Sequence, residues 1–527
     1  MEILKPLELP LIHCSQHNEI VDRLIQIIAV HEHNDKEYRK EIDRLKGIVA
    51  ELQKAPKKPI IPAATSSKQR HKKKKKRGKG PASPKVARLP IQRAEIVKLE
   101  SVPEGAIFKG YREYFIQDIH LAPQNILFKL ERWKTKDGIF HTALLPKEYI
   151  GHHFGPTLRA FICHQYHLAR VTRPRLLEQL RDWGIEISTS ELNKIILEHR
   201  KIASEEMLSV LKTAMMHSSY IQADDTGARD QGKNKICTQV GNLFFTFLKT
   251  TDSKSRVNFL EILNTGDTYQ LNERAVAYLR QYASKKLIIK IEKAGNKCLM
   301  GKEAFTQYLD AQKIEGETNR RLVTEAALIA AVSDTVKRGF IIVSDGAKQF
   351  AIMVHAACWV HAVRLLEEEC SEIPAIQSKI NEVLKRIRLL YHHLKRYQAH
   401  PKECLKARLD RYFDLICDLI TPSEAFNDAF KRFQLNKIDL LRCLENPEIP
   451  LHNNLSENDL REYVVRRKIS GGTHSEAGRM ARDAFCSLVK TCKKLAISFW
   501  RWLQDRVYKT ATLPPLATIL EEKMGFS

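Results

Sequence analysis

A short polar run around position 457 constrains the fold of this chain more than any other feature of its sequence. Asn454, Glu457 and Arg461 are spaced three and four residues apart, so an α-helix would place them on one ridge. A carboxylate flanked by an amide and a guanidinium is suited to a site that binds metal ions and phosphate groups. The run therefore predicts a helix that presents Glu457 to partners supplied by other elements.

Two further acids lie upstream, each in a strand-like context. Asp224 follows the mainly apolar residues 220–223, and the strand-like residues 235–250 come soon after, which predicts an antiparallel pair with the acid on its first strand. Asp345 ends a buried-type strand over residues 339–344 and precedes a glycine, where an acid can hold a cation without being buried unpaired. A single acid is usually a surface carboxylate. Three acids in these contexts predict a three-carboxylate metal site.

The charge balance favours a polyanionic partner. The chain has 87 Lys and Arg residues against 62 Asp and Glu residues, a formal net charge of +25, and such cations displace counterions from nucleic-acid phosphates. Residues 54–99 hold sixteen of the cations and one acid, which predicts a disordered basic arm that contacts DNA. The tract expected to bind nucleic acid consists of Lys72, Lys73, Lys74, Lys75, Lys76 and Arg77.

Cysteine usage and hydropathy exclude several classes of protein. The eleven cysteines include no CxxC pair, which fits neither a zinc ribbon nor a secreted disulfide framework. Residues 15–162 contain no cysteine, so no zinc is expected. No stretch of eighteen apolar residues and no secretion signal is found, so a membrane partner is not expected. These features predict a cytoplasmic protein.

Residues 17–53 carry apolar side chains at alternating spacings of three and four. This seam predicts a coiled coil, and hence a homo-oligomer. The alternative is a single amphipathic helix packed on its own domain.

Residues 173–199 have the pattern of two helices joined by a tight turn. Gly184 ends the first helix, and Ser188 and Glu191 form a capping box that opens the second. The pair could be a helix-turn-helix unit that enters the DNA major groove, or an ordinary helical hairpin. Both interpretations stay open.

These motifs together resemble a known family, the insertion-sequence transposases of the IS-sixty-six type, over roughly residues 150–500. The motifs that carry the resemblance are Asp224-Asp225-Thr226, Asp345-Gly346, Cys358-Trp359-x-His361-x-x-Arg364, Asn454-x-x-Glu457-x-x-Leu460-Arg461, Arg467-Lys468 and Ser475-x-x-Gly478. The order of coiled coil, basic linker and core also agrees with that family. One departure is Asp225, where related sequences commonly have glutamate.

The resemblance implies an α/β fold, with an RNase H-like mixed sheet flanked by helices, helical insertions, the N-terminal coiled coil and a helical DNA-binding region. It implies a DDE site in which Asp224, Asp345 and Glu457 are catalytic and bind two Mg²⁺ or Mn²⁺ ions. Such ions activate a water or a 3′-hydroxyl and stabilise the leaving oxygen during displacement at phosphorus. The DNA partners would be transposon ends and target DNA.

Other residues would support this site. Asn454 would orient the glutamate, and phosphates would be neutralised by Arg461, Arg467 and Lys468. A packed helix beside the site would contribute Trp359, His361 and Arg364.

The expected organisation divides the chain into five parts. They are a coiled-coil helix over residues 1–54, a basic linker over 55–94, a DNA-binding region over 95–214, the catalytic domain over 215–500 and a C-terminal tail over 501–527. The expected location is the bacterial cytoplasm, in association with the nucleoid. Two alternatives to a transposase remain at this point: a transposase-derived DNA-binding protein without turnover, and a metal-dependent nuclease of the same fold.

Overall fold

The protein mixes β-strands with a larger number of α-helices. The computed structural model describes residues 90–91, 93–98, 100–101, 104–111, 116–119 and 121–525. Within them the strands are β1 (Arg132–Lys134), β2 (Phe140–Thr142), β3 (Tyr220–Asp230), β4 (Lys233–Gly241), β5 (Thr246–Thr251), β6 (Thr268–Leu271), β7 (Lys297–Met300), β8 (Ile341–Ser344) and β9 (Val354–Ala357).

The first nine helices of the described residues precede β8. They are α1 (Pro156–His167), α2 (Arg173–Asp182), α3 (Thr189–Glu198), α4 (Arg200–His217), α5 (Arg256–Leu263), α6 (Glu273–Tyr282), α7 (Lys285–Ala294), α8 (Lys302–Ala311) and α9 (Glu317–Thr335). The later helices are α10 (Trp359–Glu367), α11 (Pro374–Ala399), α12 (Glu403–Cys417), α13 (Glu424–Leu435), α14 (Lys437–Leu440), α15 (Asn454–Ser470), α16 (Glu476–Lys494), α17 (Phe499–Tyr508) and α18 (Leu516–Lys523).

A five-stranded mixed sheet has the strand order β5–β4–β3–β8–β9. β3, β4 and β5 pair antiparallel, whereas β8 lies parallel to both β3 and β9. The β3–β4 hairpin turns at Gln231 and Gly232, whose φ angles of 50° and 76° suit the twist of a two-residue hairpin. Parallel pairing of β3 with β8 requires a long crossover, and the helices α5 to α9 lie within it.

A large hydrophobic core is formed by helices that precede the five-stranded sheet in sequence and by the last three helices. Helices α1 to α4, which precede the sheet, share it with α16, α17 and α18. Segment 501–527, which the sequence predicted as a tail, instead contributes the buried side chains of Trp502, Leu503 and Leu516. They lie on α17 and α18, and Glu206 on α4 accepts hydrogen bonds from the Trp502 indole at 2.9 Å and the Leu516 amide at 3.1 Å.

A second hydrophobic core belongs to a helical insertion between β9 and α15. Trp359 on α10 is buried there, with α11, α12 and α13 contributing aliphatic and aromatic side chains. Rings of Phe413 and Phe433 stack with centroids 5.4 Å apart. A helical insertion between the second and third acids was expected from the sequence, and it is present.

The predicted pair of helices over residues 173–199 is also present, as α2 and α3. Gly184 adopts φ 77° in the turn, and the Ser188 hydroxyl accepts from the Glu191 amide at 3.1 Å as the N-cap of α3. Lys194 on the exposed side of α3 pairs with Glu191 at 3.1 Å. Groove reading by α3 stays a prediction.

The chain divides into two compact units. One includes residues 126–525, and the other includes the described residues from 90 to 125, which form no helix or strand. The predicted coiled coil and the lysine tract lie outside the described residues. Among the described helices, none is long and apolar enough to cross a membrane.

Candidate active site

Three carboxylates reach one region from three separate elements. Asp224 lies within β3 and Asp345 directly follows β8. Each is two residues beyond the paired residues Gln222 and Val343, so the parallel register brings the two acids side by side. Glu457 lies in the first turn of α15, the helix that the sequence predicted.

The start of α15 is fixed to the sheet by the residues that precede it. Gln222 donates a side-chain hydrogen bond to the His452 carbonyl at 2.9 Å. Asn453 is fully buried, and its side-chain amide donates to the Ala223 carbonyl at 3.0 Å. Its backbone N–H donates to the Cys358 sulfur at 3.2 Å. Asn453 therefore joins the strand of Asp224, the start of α10 and the helix of Glu457.

The sequence predicted that Asn454, the residue after Asn453, would orient Glu457. Asn454 is exposed, whereas the buried, hydrogen-bonded asparagine is Asn453. The two adjacent asparagines carry no sequence signal that separates them. Only the depth at which α15 meets the sheet decides which one is buried.

The three carboxylates act on one another electrostatically. Burial raises the pKa of Asp224 to about 7, and the negative charges of Asp345, Asp225 and Glu457 act in the same direction. The backbone N–H of Asp225, which donates to Asp224 Oδ1 at 2.7 Å, opposes this rise. Crowding of like charges around a half-buried acid is typical of functional sites, because a bound cation relieves it.

His361 on α10 extends this region. Its Nε2 lies 3.6 Å from Glu457 Oε1, beyond hydrogen-bonding distance. The thiol of Cys358 and the charges of Glu457 and Asp345 raise the pKa of His361, against the effect of burial. Glu457 Oε1 itself is buried with no hydrogen-bond partner among the described residues. An orphaned carboxylate oxygen beside a histidine is a position where a further ligand would be stabilised.

A chain of side chains holds the loop that carries Asp345. The hydroxyl of Ser344, fully buried, accepts from the Gly346 amide at 3.2 Å and lies 2.8 Å from His355 Nε2. His355 Nδ1 lies 2.8 Å from Asp439 on α14. Because Asp439 belongs to the helical insertion, this chain connects the insertion to the residue next to Asp345. Because the Ser344 hydroxyl is buried, we expect it to position the Asp345 loop and not to act as a nucleophile.

Asp225 was not among the predicted site residues. Its side chain is 4% exposed and lies 2.6 Å from the ammonium of Lys254, and it accepts from the Gln349 amide at 2.8 Å. Gln349 lies four residues after Asp345, so Asp225 ties the Asp345 loop to β3. The position of Asp225 in a strand-like run beside Asp224 was a weak indication of a role at the site. No sequence pattern indicated a role for Lys254.

The remaining predicted residues are spread around this region. Trp359 is a core residue whose indole donates to the Leu440 carbonyl at 2.6 Å. Arg467 donates to the Gly227 carbonyl at the far part of β3. The side chains of Arg364 on α10 and of Arg461 and Lys468 on α15 are exposed.

The donors present suit a hard divalent cation. Two aspartates and a glutamate offer carboxylate oxygens, the ligand type that Mg²⁺ and Mn²⁺ prefer. The unsatisfied oxygen of Glu457 and the raised pKa of Asp224 would both favour the binding of a cation. Within the described part of the chain, no group of three or more His, Cys, Asp or Glu side chains is already drawn together as a metal-binding cluster.

The raised pKa of Asp224 makes a prediction about stability. A carboxyl whose pKa is higher in the folded state than in the unfolded state stabilises the fold below the unfolded pKa, and this contribution is lost as the pH rises through the folded value of about 7. At pH 8 without divalent ions, Asp224→Asn should therefore exceed the parent in stability by on the order of 2 kcal/mol. Denaturant unfolding at several pH values measures this difference.

The difference between Asp224→Asn and the parent should shrink as the pH falls towards 5. Added Mg²⁺ at pH 8 should stabilise the parent and not the variant. A difference that stays constant with pH would contradict the assigned environment of Asp224.

The chain is similar in sequence to known proteins. A model of the transposase IS66 family matches residues 325–481, a span that includes Asp345 and Glu457 but not Asp224. The chain is 38% identical over 320 residues to the uncharacterized protein y4jO of Sinorhizobium fredii (strain NBRC 101917 / NGR234). The aligned part covers 60% of this chain and 100% of that relative.

Proposed function

This chain belongs to the IS66 family of transposases, and we propose that it cleaves and joins DNA strands at the ends of an insertion sequence. The observation that carries the proposal is the meeting of Asp224, Asp345 and Glu457 from β3, β8 and α15. These three residues are proposed to form a DDE site.

An RNase H-like core is the proposed fold of the catalytic region. The mixed sheet has three antiparallel strands followed by two parallel ones; Asp224 lies on β3, Asp345 directly follows the neighbouring β8, and Glu457 lies on a helix packed near them. The insertion of helices between Asp345 and Glu457 agrees with this assignment.

Asp224, Asp345 and Glu457 would hold two Mg²⁺ or Mn²⁺ ions. When bound, such ions supply Lewis-acid activation of the nucleophile and stabilisation of the leaving oxygen. The hydrogen bond from the Asn453 side chain to the Ala223 carbonyl would fix the helix that carries Glu457 next to β3. His361, whose Nε2 lies 3.6 Å from Glu457 Oε1, would interact electrostatically with that carboxylate when protonated. The Ser344–His355–Asp439 chain holds the loop of Asp345.

Cations on α15 are proposed to bind the DNA strand. Arg461 and Lys468 are exposed on α15, which carries Glu457 in its first turn, so their charges would face a phosphate backbone that passes the site. Arg467 on α15 donates a hydrogen bond to the Gly227 carbonyl of β3. Its guanidinium has further donors, so it would stabilise β3 and also contact a DNA phosphate.

The remaining assignments are also proposals. The pair α2 and α3 would contact DNA, residues 1–54 would form a coiled coil that assembles a homo-oligomer, and residues 55–94 would form a basic arm. A multimer suits the reaction, since two transposon ends have to be held together. The helices over 156–217 share one core with the catalytic region, so any DNA contact they make would be rigidly placed relative to the acids.

Incubation of the purified chain with Mg²⁺ and the DNA that flanks its gene tests this function. We expect strand cleavage at the element ends and joining of the new 3′-hydroxyl ends to a plasmid. Cleavage without joining under all conditions would favour a nuclease. Specific binding without cleavage would favour a DNA-binding protein derived from a transposase. Absence of both would overturn the proposal.

Deletion of residues 54–90 should weaken binding to all DNA sequences alike. The lysines of this arm are expected to contact phosphates and not base edges, so the variant should also show a shallower dependence of affinity on salt concentration. Titration of fluorescent duplexes at several salt concentrations measures both effects. An unchanged salt slope would contradict the proposed role of the arm.

A further inference from the structure

Lys254 is a partly exposed cation at the three-carboxylate site. It lies between β5 and α5, and its ammonium contacts Asp225 at 2.6 Å while 55% of its side chain stays exposed. The hydrogen bond to Asp225 raises the pKa of Lys254 against the effect of burial, and the charges of Asp225, Asp345 and Asp224 act in the same direction as the hydrogen bond. Because Asp225 is adjacent to Asp224 and bonded to Gln349 of the Asp345 loop, its contact places the ammonium beside the segments that carry the two aspartates proposed as metal ligands.

The anchor of this lysine is unusually well fixed for a surface contact. The Asp225 side chain is 4% exposed, and its second oxygen is occupied by the Gln349 amide at 2.8 Å. Its backbone N–H donates to Asp224 Oδ1 at 2.7 Å. A carboxylate held at both oxygens gives the ammonium a defined position, whereas an exposed ion pair is commonly mobile.

An ammonium has three donors, and the contact with Asp225 uses one of them. With 55% of the side chain exposed, the ammonium is accessible to a further acceptor. Lysine is a frequent phosphate ligand in proteins because it acts as a compact point charge. A strand that presents a phosphate to Asp224 and Asp345 would bring an oxygen within reach of Lys254.

We propose that Lys254, positioned by Asp225 and Gln349, binds a non-bridging oxygen of the DNA phosphate at or next to the bond that is cleaved. This inference rests on the proposed function, because it assigns a ligand to the same site. Asp225 is then a positioning residue, and it does not need to bind metal.

Lys254→Met tests the contact directly. Lys249→Met is its matched control, since Lys249 is an exposed lysine on β5 and its replacement removes the same charge. Binding is measured with duplexes of the flanking DNA in Ca²⁺, so that the readout does not depend on cleavage. We expect Lys254→Met to weaken binding roughly tenfold, the scale of one charge-assisted hydrogen bond, and Lys249→Met to have little effect.

Single methylphosphonate substitutions along the duplex locate the phosphate concerned. Neutralising the phosphate that Lys254 binds should weaken binding by the parent and should have no further effect on Lys254→Met. Substitutions at all other positions should affect both proteins equally. Asp225→Asn, which retains the side-chain shape, should reproduce part of the loss because the ammonium is no longer held.

Two outcomes would overturn the inference. One is equal loss of affinity by Lys254→Met and Lys249→Met, which would indicate a non-specific charge effect. The other is unchanged DNA affinity with tighter Mn²⁺ binding, which would make Lys254 a counter-ion of the carboxylates. Failure of the proposed function would look different, because the parent would then neither cleave nor join the flanking DNA.

Discussion

Glu457→Gln should abolish DNA strand cleavage while leaving DNA binding and the stability of the fold nearly unchanged. The substitution keeps the shape of the side chain but removes a charge that the bound cations require. Because the acids act as one unit, the expected loss of cleavage rate is at least about a thousandfold, and Asp224→Asn and Asp345→Asn should lose as much. A gel assay on end-labelled DNA with Mg²⁺ measures it, beside a binding titration in Ca²⁺.

Glu424→Gln is the matched control for Glu457→Gln. Glu424 is also a glutamate in the first turn of a helix, α13, and it is exposed, so the same interaction with the helix dipole is lost without any change near the three acids. This control should cleave at the parent's rate. Cleavage by Glu457→Gln at the parent's rate would show that the third acid is misassigned.

The sequence predicted the site through patterns that depend on local structure. An apolar run that ends in an acid predicted the strand contexts of Asp224 and Asp345, and three-and-four spacing predicted the helix of Glu457. These patterns are local because strand alternation and helix periodicity depend on neighbouring residues only. The register between β3 and β8, which places the two aspartates side by side, depends on contacts across a long crossover. That register could not be obtained from residue spacing.

The residues that sequence reasoning missed all act through tertiary contacts. Asp225, Lys254 and Gln349 come from three distant segments, and none has a characteristic spacing relative to the others. The same holds for Asn453, whose burial follows from the way α15 meets β3.

At the fold level, the strand predicted over residues 235–250 is divided into β4 and β5. Asn242 makes the division because its side chain accepts from the Phe244 amide at 2.9 Å, which stabilises a turn between two apolar runs. The helices α17 and α18 were missed for another reason. Their apolar faces are short, and burial of α17 against α1 and of α18 against α4 gives them their place in the core.

Asp459, two residues after Glu457, illustrates how differently two acids of one helix can act. Its side chain is 4% exposed. Its Oδ2 accepts hydrogen bonds from the Lys494 ammonium at 2.6 Å and the Thr246 hydroxyl at 2.6 Å. Lys490 lies 3.7 Å from its other oxygen. All of these partners connect α15 to α16 and β5, so Asp459 is expected to stabilise the fold and not to take part in the chemistry.

Asp459→Ala should lower the free energy of unfolding by about 3–5 kcal/mol, because it leaves the buried ammonium of Lys494 without its counter-ion. Burial already lowers the pKa of Lys494, and Asp459 is the group that opposes this effect. Chemical denaturation of the full chain measures the loss. Glu382→Ala breaks an exposed ion pair with Arg386 and should lower the free energy of unfolding far less, because solvent screens that pair.

Asp459→Leu combined with Lys494→Met should recover much of the stability lost in Asp459→Ala, since an apolar pair can replace a buried ion pair. The decisive comparison is between neighbours on α15. Glu457→Gln should retain stability and lose cleavage, whereas Asp459→Ala should lose stability and, at temperatures where it stays folded, retain cleavage. If Asp459→Ala kept full stability and lost cleavage, Asp459 would belong to the reacting carboxylates, and the orphaned oxygen of Glu457 would need another explanation.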